Sequence, residues 1–152
     1  METLSNKPHI IIFTETRIID SLDTLNFLHL KGYKTYYNES EINICDGVVT
    51  YVIASLDHNS IISVINELKI LKITIKINSF CVIISALYRS HNITKNIFNN
   101  LIESYLSQNC NLNNNHFIIG DFNMNIIDED YENNNILRAH IISWVCTYNK
   151  FN

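Results

Sequence analysis

The sequence predicts an α/β layered domain in which antiparallel strands dominate and helices pack outside. Three features predict it: short β-branched runs such as residues 9–13 and 47–54, a near-regular alternation over Leu68–Ile77, and two segments around 97–106 and 137–148 with apolar residues at helical spacing. With 152 residues, a net charge of −4 and 47% hydrophobic residues, the chain fits one domain.

Residues 9–13, opened by Lys7-Pro8, form an apolar run that stops at Thr14-Glu15-Thr16, so a buried strand would deliver a carboxylate at its C-terminal edge. From 21 to 31, Leu22, Leu25, Leu28 and Leu30 suit a short helix or a packed loop stopped by Gly32. Residues 33–37 read as a strand, 38–46 as a polar loop and 47–54 as a valine-rich strand, which suggests antiparallel neighbours. In Leu68–Ile77, Leu68, Ile70, Ile73, Ile75 and Ile77 alternate with Lys69, Lys72, Thr74 and Lys76, with one slip at Leu71; this predicts a strand with one wet face. Asn78-Ser79 supplies a two-residue turn into Phe80–Tyr88, whose continuous apolar character predicts a hairpin strand buried on both faces. Asn92 or Thr94 would cap a helix with Ile97, Phe98, Leu101, Ile102, Tyr105 and Leu106 on one face, covering the sheet. Beyond an asparagine-rich connection at 109–115, residues 116–119 read as a short core strand ending at Gly120-Asp121-Phe122-Asn123. A polar loop at 128–135 leads to a last helical pattern with Leu137, Ile141, Trp144, Val145 and Tyr148.

Asparagine (23) and isoleucine (27) supply 50 of the 152 residues, and with only three glycines and one proline the asparagine clusters must mark the loops. No apolar run reaches the roughly 18 residues that a membrane span needs. The N-terminus lacks a basic segment followed by an apolar core, so the expectation is an intracellular protein, cytoplasmic or nuclear, without signal peptide or membrane contact. Cys45, Cys81, Cys110 and Cys146 lie 36, 29 and 36 residues apart with no C-x-x-C pair, which argues against zinc and for reduced thiols, with Cys81 and Cys146 as small core residues. The mild acidity argues against a broad nucleic-acid-binding surface and leaves room for a confined basic patch. Lys69, Lys72 and Lys76 are either such a stripe or the wet face of their strand.

The chemistry-bearing residues fall at the C-terminal ends of apolar strands: Glu15, then Tyr88-Arg89, then Asp121 and Asn123. If those ends converge, two carboxylates, an amide, a phenol and a guanidinium share one cleft. That set suits phosphate-ester chemistry with a hard cation, because Mg2+ takes oxygen ligands and binds through one or two carboxylates plus substrate phosphate and water. Asp121 is either part of that carboxylate pair or the group that orients or deprotonates an attacking water. Gly-Asp-Phe-Asn also suits a simple turn, since Asp and Asn bond their own backbone.

Residues 8–16, Pro-His-Ile-Ile-Ile-Phe-Thr-Glu-Thr, resemble the "kPdIIllTET" segment of the endonuclease/exonuclease/phosphatase superfamily, in particular the apurinic-like endonuclease domains of non-LTR retrotransposons. Gly32-Tyr33 with Asp46-Gly47-Val48-Val49-Thr50-Tyr51-Val52 is similar to that group's "GY … gGVaiyv" hairpin. Ile84-Ser85-Ala86-Leu87-Tyr88-Arg89-Ser90 resembles its "vYRpp" strand end, and Phe117-Ile118-Ile119-Gly120-Asp121-Phe122-Asn123 its "iiGDFN" motif. The resemblance implies a four-layer α/β/β/α sandwich of mainly antiparallel sheets and Mg2+-dependent phosphodiester hydrolysis, with Mn2+ able to replace Mg2+. In those elements the reaction nicks DNA to prime reverse transcription. It further implies that Glu15 is a metal ligand, Tyr88 a phosphate-contacting phenol, Asp121 the residue that activates the nucleophilic water, Asn123 a transition-state or phosphate donor, and Arg89 a contact to the DNA backbone. Three departures stand beside it. No asparagine-bearing strand precedes Pro8, no Asp-His pair follows the GDFN motif, and Ser90-His91 replace the prolines after Tyr-Arg. The expectation is therefore an incomplete domain with weak or lost nicking activity. The alternatives are an inert remnant or passive interaction module and, third, a phosphatase acting on a small ester.

Overall fold

The computed structural model describes residues 7–18, 26–38, 47–65, 68–109 and 115–124. Among them, seven strands and one helix follow in the order β1 (Ile10–Thr14), β2 (Tyr33–Asn38), β3 (Val48–Ile53), β4 (His58–Ile65), β5 (Leu68–Ile77), β6 (Phe80–Tyr88), α1 (Lys95–Asn109) and β7 (Asn115–Asp121). The strands form a three-stranded sheet, β1-β3-β2, and a four-stranded sheet, β4-β5-β6-β7. Every pairing is antiparallel except β6 with β7, the parallel pair that α1 connects. This is the α/β layered, mainly antiparallel class that the sequence predicts. The expected polar loop at 128–135, the helix at 137–148, Cys45, Cys110, Cys146, residues 39–46 of the polar loop, 110–114 of the asparagine-rich connection and 21–25 of the helix-or-loop segment lie outside the described residues. Of the rest of that segment, Asn26 and Phe27 are helical.

Two apolar clusters hold the layers. Val48 and Val52 of β3 meet Leu71, Ile73, Ile75, Ile84 and Ala86 between the sheets. On the far face of the four-stranded sheet, Leu68, Ile70 and Leu87 pack under Phe98, Leu101, Ile102, Tyr105 and Leu106 of α1. The slip at Leu71 follows from this layering: strand residues alternate faces, so Leu68 and Ile70 lie under the helix while Leu71, Ile73 and Ile75 turn to the other sheet. The single wet face predicted for β5 is accordingly absent over its first half. Lys72 is half-buried there and its Nζ donates to Asn109 Oδ1 at 3.0 Å, tying the end of α1 to the strand. The three lysines thus do not act as one stripe.

Asn78-Ser79 makes the predicted turn, with Asn78 at φ 53°, a left-handed conformation that asparagine tolerates. Burial of β6 is less complete than its apolar run suggests. Phe80 is 63% exposed, Cys81 and Val82 are half-buried, and full burial begins at Ile83. Thr94 caps α1, its Oγ1 accepting from the Ile97 amide at 3.4 Å and its carbonyl from the Phe98 amide at 2.9 Å. Ile97 itself is exposed, at the margin of the predicted apolar face. In β7, Phe117 and Ile119 are exposed although the run reads as core, because they lie on the face away from α1 at the rim of the sheet.

Strand β4 is the element that periodicity misses. Its sequence, His-Asn-Ser-Ile-Ile-Ser-Val-Ile, has neither a clean alternation nor a continuous apolar run. It forms because β5 offers eight consecutive partners, from His58 opposite Ile75 to Ile65 opposite Leu68. His58 also ties the sheets together. Its Nδ1 lies 2.7 Å from the Leu56 carbonyl, which can only accept, so Nε2 is the acceptor for the Tyr36 hydroxyl at 2.8 Å.

A buried polar group lies beneath α1. Ser85 Oγ is 2.7 Å from both the Tyr105 hydroxyl and His116 Nε2, and the Tyr105 and His116 rings meet edge-on at 5.8 Å. Burial pushes the His116 pKa down to about 4, and the nearby Lys72 charge pushes the same way. The unfolded chain therefore takes up this proton at higher pH than the native one, and the histidine's contribution to stability falls as pH drops from about 6.5 towards 4. Urea unfolding at pH 7 and at pH 4.5 is expected to differ by on the order of 2 kcal/mol more in the native sequence than in His116→Gln. Equal pH slopes for the two proteins would contradict this account.

Candidate active site at the strand ends

The C-terminal ends of β1, β6 and β7 come together at one end of the sandwich, and each delivers a residue that the sequence singles out. Successive side chains of β6 point to opposite faces, so Leu87 lies under α1 and Tyr88 points between the sheets. The Tyr88 ring is buried there and its hydroxyl donates to Glu15 Oε1 at 3.0 Å. Glu15 is exposed and sits just past β1 at φ 55°. A left-handed glutamate is uncommon and costs about 1–2 kcal/mol, so this turn is held by its surroundings. The Thr16 amide donates to the Gly47 carbonyl at 3.3 Å. A Cβ on Gly47, itself at φ 120°, would come within 2.8 Å of Thr16 Oγ1. Gly47 thus permits the close approach that seats the Thr-Glu-Thr turn.

Asp121 is reached from Tyr88 by register, since the two are opposite one another in the parallel β6–β7 pair. The following turn is an Asx turn: Asp121 Oδ1 accepts from the Asn123 amide at 2.8 Å, and Asn123 stands at φ 47°. Between them Phe122 points inward against the helix cluster, with its ring 5.7 Å from that of Phe98. The Asn123 side chain donates to the Arg89 carbonyl at 2.8 Å, and the Arg89 amide donates to the Asp121 carbonyl at 2.9 Å.

Arg89 lies inside the protein. It is 5% exposed. Its Nε donates to the Phe122 carbonyl, Nη1 to the Ile93 carbonyl and Nη2 to the Asn123 carbonyl, while the guanidinium sits 5.9 Å from the Phe98 ring centroid. Burial lowers its pKa from the usual arginine value, and the Asp121 and Tyr88 charges oppose that shift. The sequence expectation places Arg89 at the DNA backbone; the structure shows its side chain turned to the loop carbonyls. Three of its N–H groups bind the loop, because a planar guanidinium can serve several carbonyls converging on one buried spot.

Tyr88 thus meets Glu15 through a hydrogen bond and Asp121 through strand register, while Arg89 holds the turn that carries Asp121 and Asn123, a role that sequence reasoning missed. Its only signal was the adjacency of Arg89 to Tyr88. The left-handed conformation of Glu15 also has no signature in residue type, whereas that of Asn123 is one that asparagine tolerates. Among the described residues, no group of three or more His, Cys, Asp or Glu side chains forms a metal cluster, and no helix is long and apolar enough to cross a membrane. The donors are hard oxygens on an exposed carboxylate and a half-buried one. They fit a cation that keeps much of its water.

No protein-family model and no curated protein matches the sequence. The fold does match solved structures. Truncated Caenorhabditis elegans TDP2 superposes with a TM-score of 0.53 at 16% identity over 78% of this chain and 50% of that one. The human Nocturnin catalytic domain with bound sulfate superposes with a TM-score of 0.54 at 16% identity over 82% of this chain and 55% of that one. Both are members of the endonuclease/exonuclease/phosphatase superfamily. The present chain has their α/β layered fold and spans about half the length of those two chains.

Proposed function

We propose that the chain hydrolyses phosphodiesters with the help of a divalent cation, at a site made of Glu15, Tyr88, Asp121 and Asn123. The observation that carries this reading is the hydrogen bond from the Tyr88 hydroxyl to Glu15, with Asp121 in register beside Tyr88. Residues of three separate motifs, far apart in the chain, thereby meet at a single sheet end.

The exposed Glu15 carboxylate would hold Mg2+, or Mn2+ in its place, together with water and a substrate phosphate oxygen. When bound, that ion neutralises charge on the phosphoryl group. One oxygen of Asp121 is engaged by the Asn123 amide, so the other is the one available to orient a water and accept its proton. The Tyr88 hydroxyl gives its one O–H to Glu15 in this arrangement and so orients that carboxylate; it would become a phenolic donor at the phosphate once Glu15 turns to the cation. The Asn123 side-chain amide keeps a second N–H beyond the one it gives to the Arg89 carbonyl, and that donor suits a developing oxyanion. Arg89 positions the turn that carries Asp121 and Asn123. The substrate we assign is a DNA backbone, and the biological setting is nicking by an endonuclease of non-LTR retrotransposon descent, on the strength of the four ordered motifs.

Purified protein is expected to nick supercoiled plasmid with Mg2+ and not with EDTA, at a low rate as for an incomplete domain, and Glu15→Gln or Asp121→Ala is expected to lower that rate by about 10^2 or more. Equal cleavage by all three proteins would locate the activity elsewhere. Turnover of small phosphomonoesters without plasmid nicking would assign a phosphatase instead, and no metal-dependent turnover of either substrate would leave an inert remnant.

A further inference from the structure

We propose that β4 is a self-association edge, at which two copies of this chain join their four-stranded sheets antiparallel about a two-fold axis through Ser63. Among the described residues, β4 has a neighbour on one side only. It is regular over its whole length, pairing with β5 at eight consecutive positions without a bulge. Its eight residues include no Lys, Arg, Asp, Glu or Pro. Charges, prolines, bulges and short length are the usual means by which an edge strand resists pairing with another chain, and β4 has none of them. Of the other outer strands, β2 carries Lys34, β7 carries Asp121, and β1, which has no such residue, is only 5 residues long.

The side chains agree with the open backbone. Ile61 is 57% exposed, Ile62 50% and Val64 61%. Ile62 lies opposite Leu71, so it and Val64 share the face turned towards the three-stranded sheet, while Ile61 and Ile65 share the face turned towards α1. Apolar area is therefore open on both sides of a single strand.

The register follows from the pleat. Residues directly opposite in an antiparallel pair point to the same face, so in a self-pair the axis passes through a residue and not between two. With the axis at Ser63, Ile62 meets the partner's Val64 and Ile61 meets the partner's Ile65, and the symmetry repeats both contacts. With the axis at Ile62, Ile61 would meet the partner's Ser63 and Val64 the partner's Ser60. With the axis at Ile61, Ile62 would meet the partner's Ser60. Only the Ser63 axis sets apolar against apolar on both faces, and such cross-strand pairs are what stabilise a sheet. The occupant that fits this edge is thus a second copy of the same strand, in the isologous arrangement common to two-fold dimers.

Sedimentation velocity of the full chain from about 1 to about 100 μM is expected to show a dimer fraction that rises with concentration. Ile62→Lys and Val64→Lys are expected to remain monomeric, with circular dichroism confirming that they are folded. Under oxidising conditions Ser63→Cys is expected to give a disulfide-linked dimer with position 63 joined to position 63 by peptide mapping, whereas Ser60→Cys is not. A native chain that stays monomeric across the range, or lysine variants that dimerise as it does, would overturn the interface. Cross-linking at 60 without cross-linking at 63 would overturn the axis.

Discussion

Arg89→Ala is expected to lower the free energy of unfolding by about 3–5 kcal/mol, enough to remove much of the margin of an ordinary domain. Hydrogen bonds to a charged group contribute about 1.5–3 kcal/mol each, and Arg89 makes three, to the carbonyls of Ile93, Phe122 and Asn123. Their sum is not realised in full, because water can reach part of the half-buried loop after truncation, and because burying the guanidinium has its own desolvation cost. The loss of its packing against the Phe98 ring works in the same direction. Arg89→Lys is not expected to rescue the protein, since an ammonium cannot present a planar fork to carbonyls on two loops. Urea unfolding of both variants checks this. A loss below about 1 kcal/mol would mean that the turn holds itself through its Asx bond alone. If both variants remain folded, the proposed activity predicts a plasmid-nicking rate that falls through kcat with KM nearly unchanged, because in that proposal Arg89 positions Asp121 and Asn123.

What could be read in advance and what could not separates along physical lines. Strands β3, β5 and β6 and the helix α1 announce themselves because each buries an apolar run or a regular stripe, and burial is the dominant driving force. Strand β1 reads as a buried strand from its apolar run, but as an outer strand it is only half-buried and leaves Phe13 exposed. Strand β4 does not, because an edge strand is stabilised by pairing with β5, and pairing leaves no mark in its composition. Hydrophobic periodicity states that a face is covered without stating what covers it. Hence the lysines of β5 read as a wet face although Lys72 lies under the end of α1. Phe117 and Ile119 read as core for the same reason, although they sit exposed at the rim of the sheet. The site was legible as residue types at strand ends. Its geometry was not, because convergence of Glu15, Tyr88 and Asp121 depends on the order β1-β3-β2 stacked on β4-β5-β6-β7, a long-range property. The inward turn of Arg89 depends on a still finer balance. A lone arginine beside a site tyrosine suggests an outward phosphate contact, until the carbonyls of two loops are found pointing at it.

Gly120→Ala is expected to cost about 3 kcal/mol and to displace Asp121, whereas Gly32→Ala, at a site with open space, is expected to cost about 1 kcal/mol. A Cβ on Gly120 would overlap the Leu87 carbonyl group across the β6–β7 pair. That neighbour is backbone, with no rotamer to change, so relief requires the two strands to separate. They are held on either side of the clash: Arg89 donates its amide to the Asp121 carbonyl at 2.9 Å, and Ala86 pairs with Ile119. The strain must therefore move the strand end that carries Asp121. A displacement of about 1 Å in a catalytic group can lower the rate about 10^2-fold. Gly32 supplies the comparison, because at φ 91° an alanine there meets no atom within 4 Å and suffers only the left-handed backbone penalty. Unfolding free energies of the two variants, measured together with plasmid nicking, separate close approach from backbone conformation. If Gly120→Ala is no less stable than Gly32→Ala and nicks at the native rate, the end of β7 is free to shift, and the tight pairing of Leu87 with Gly120 does not hold Asp121 in place.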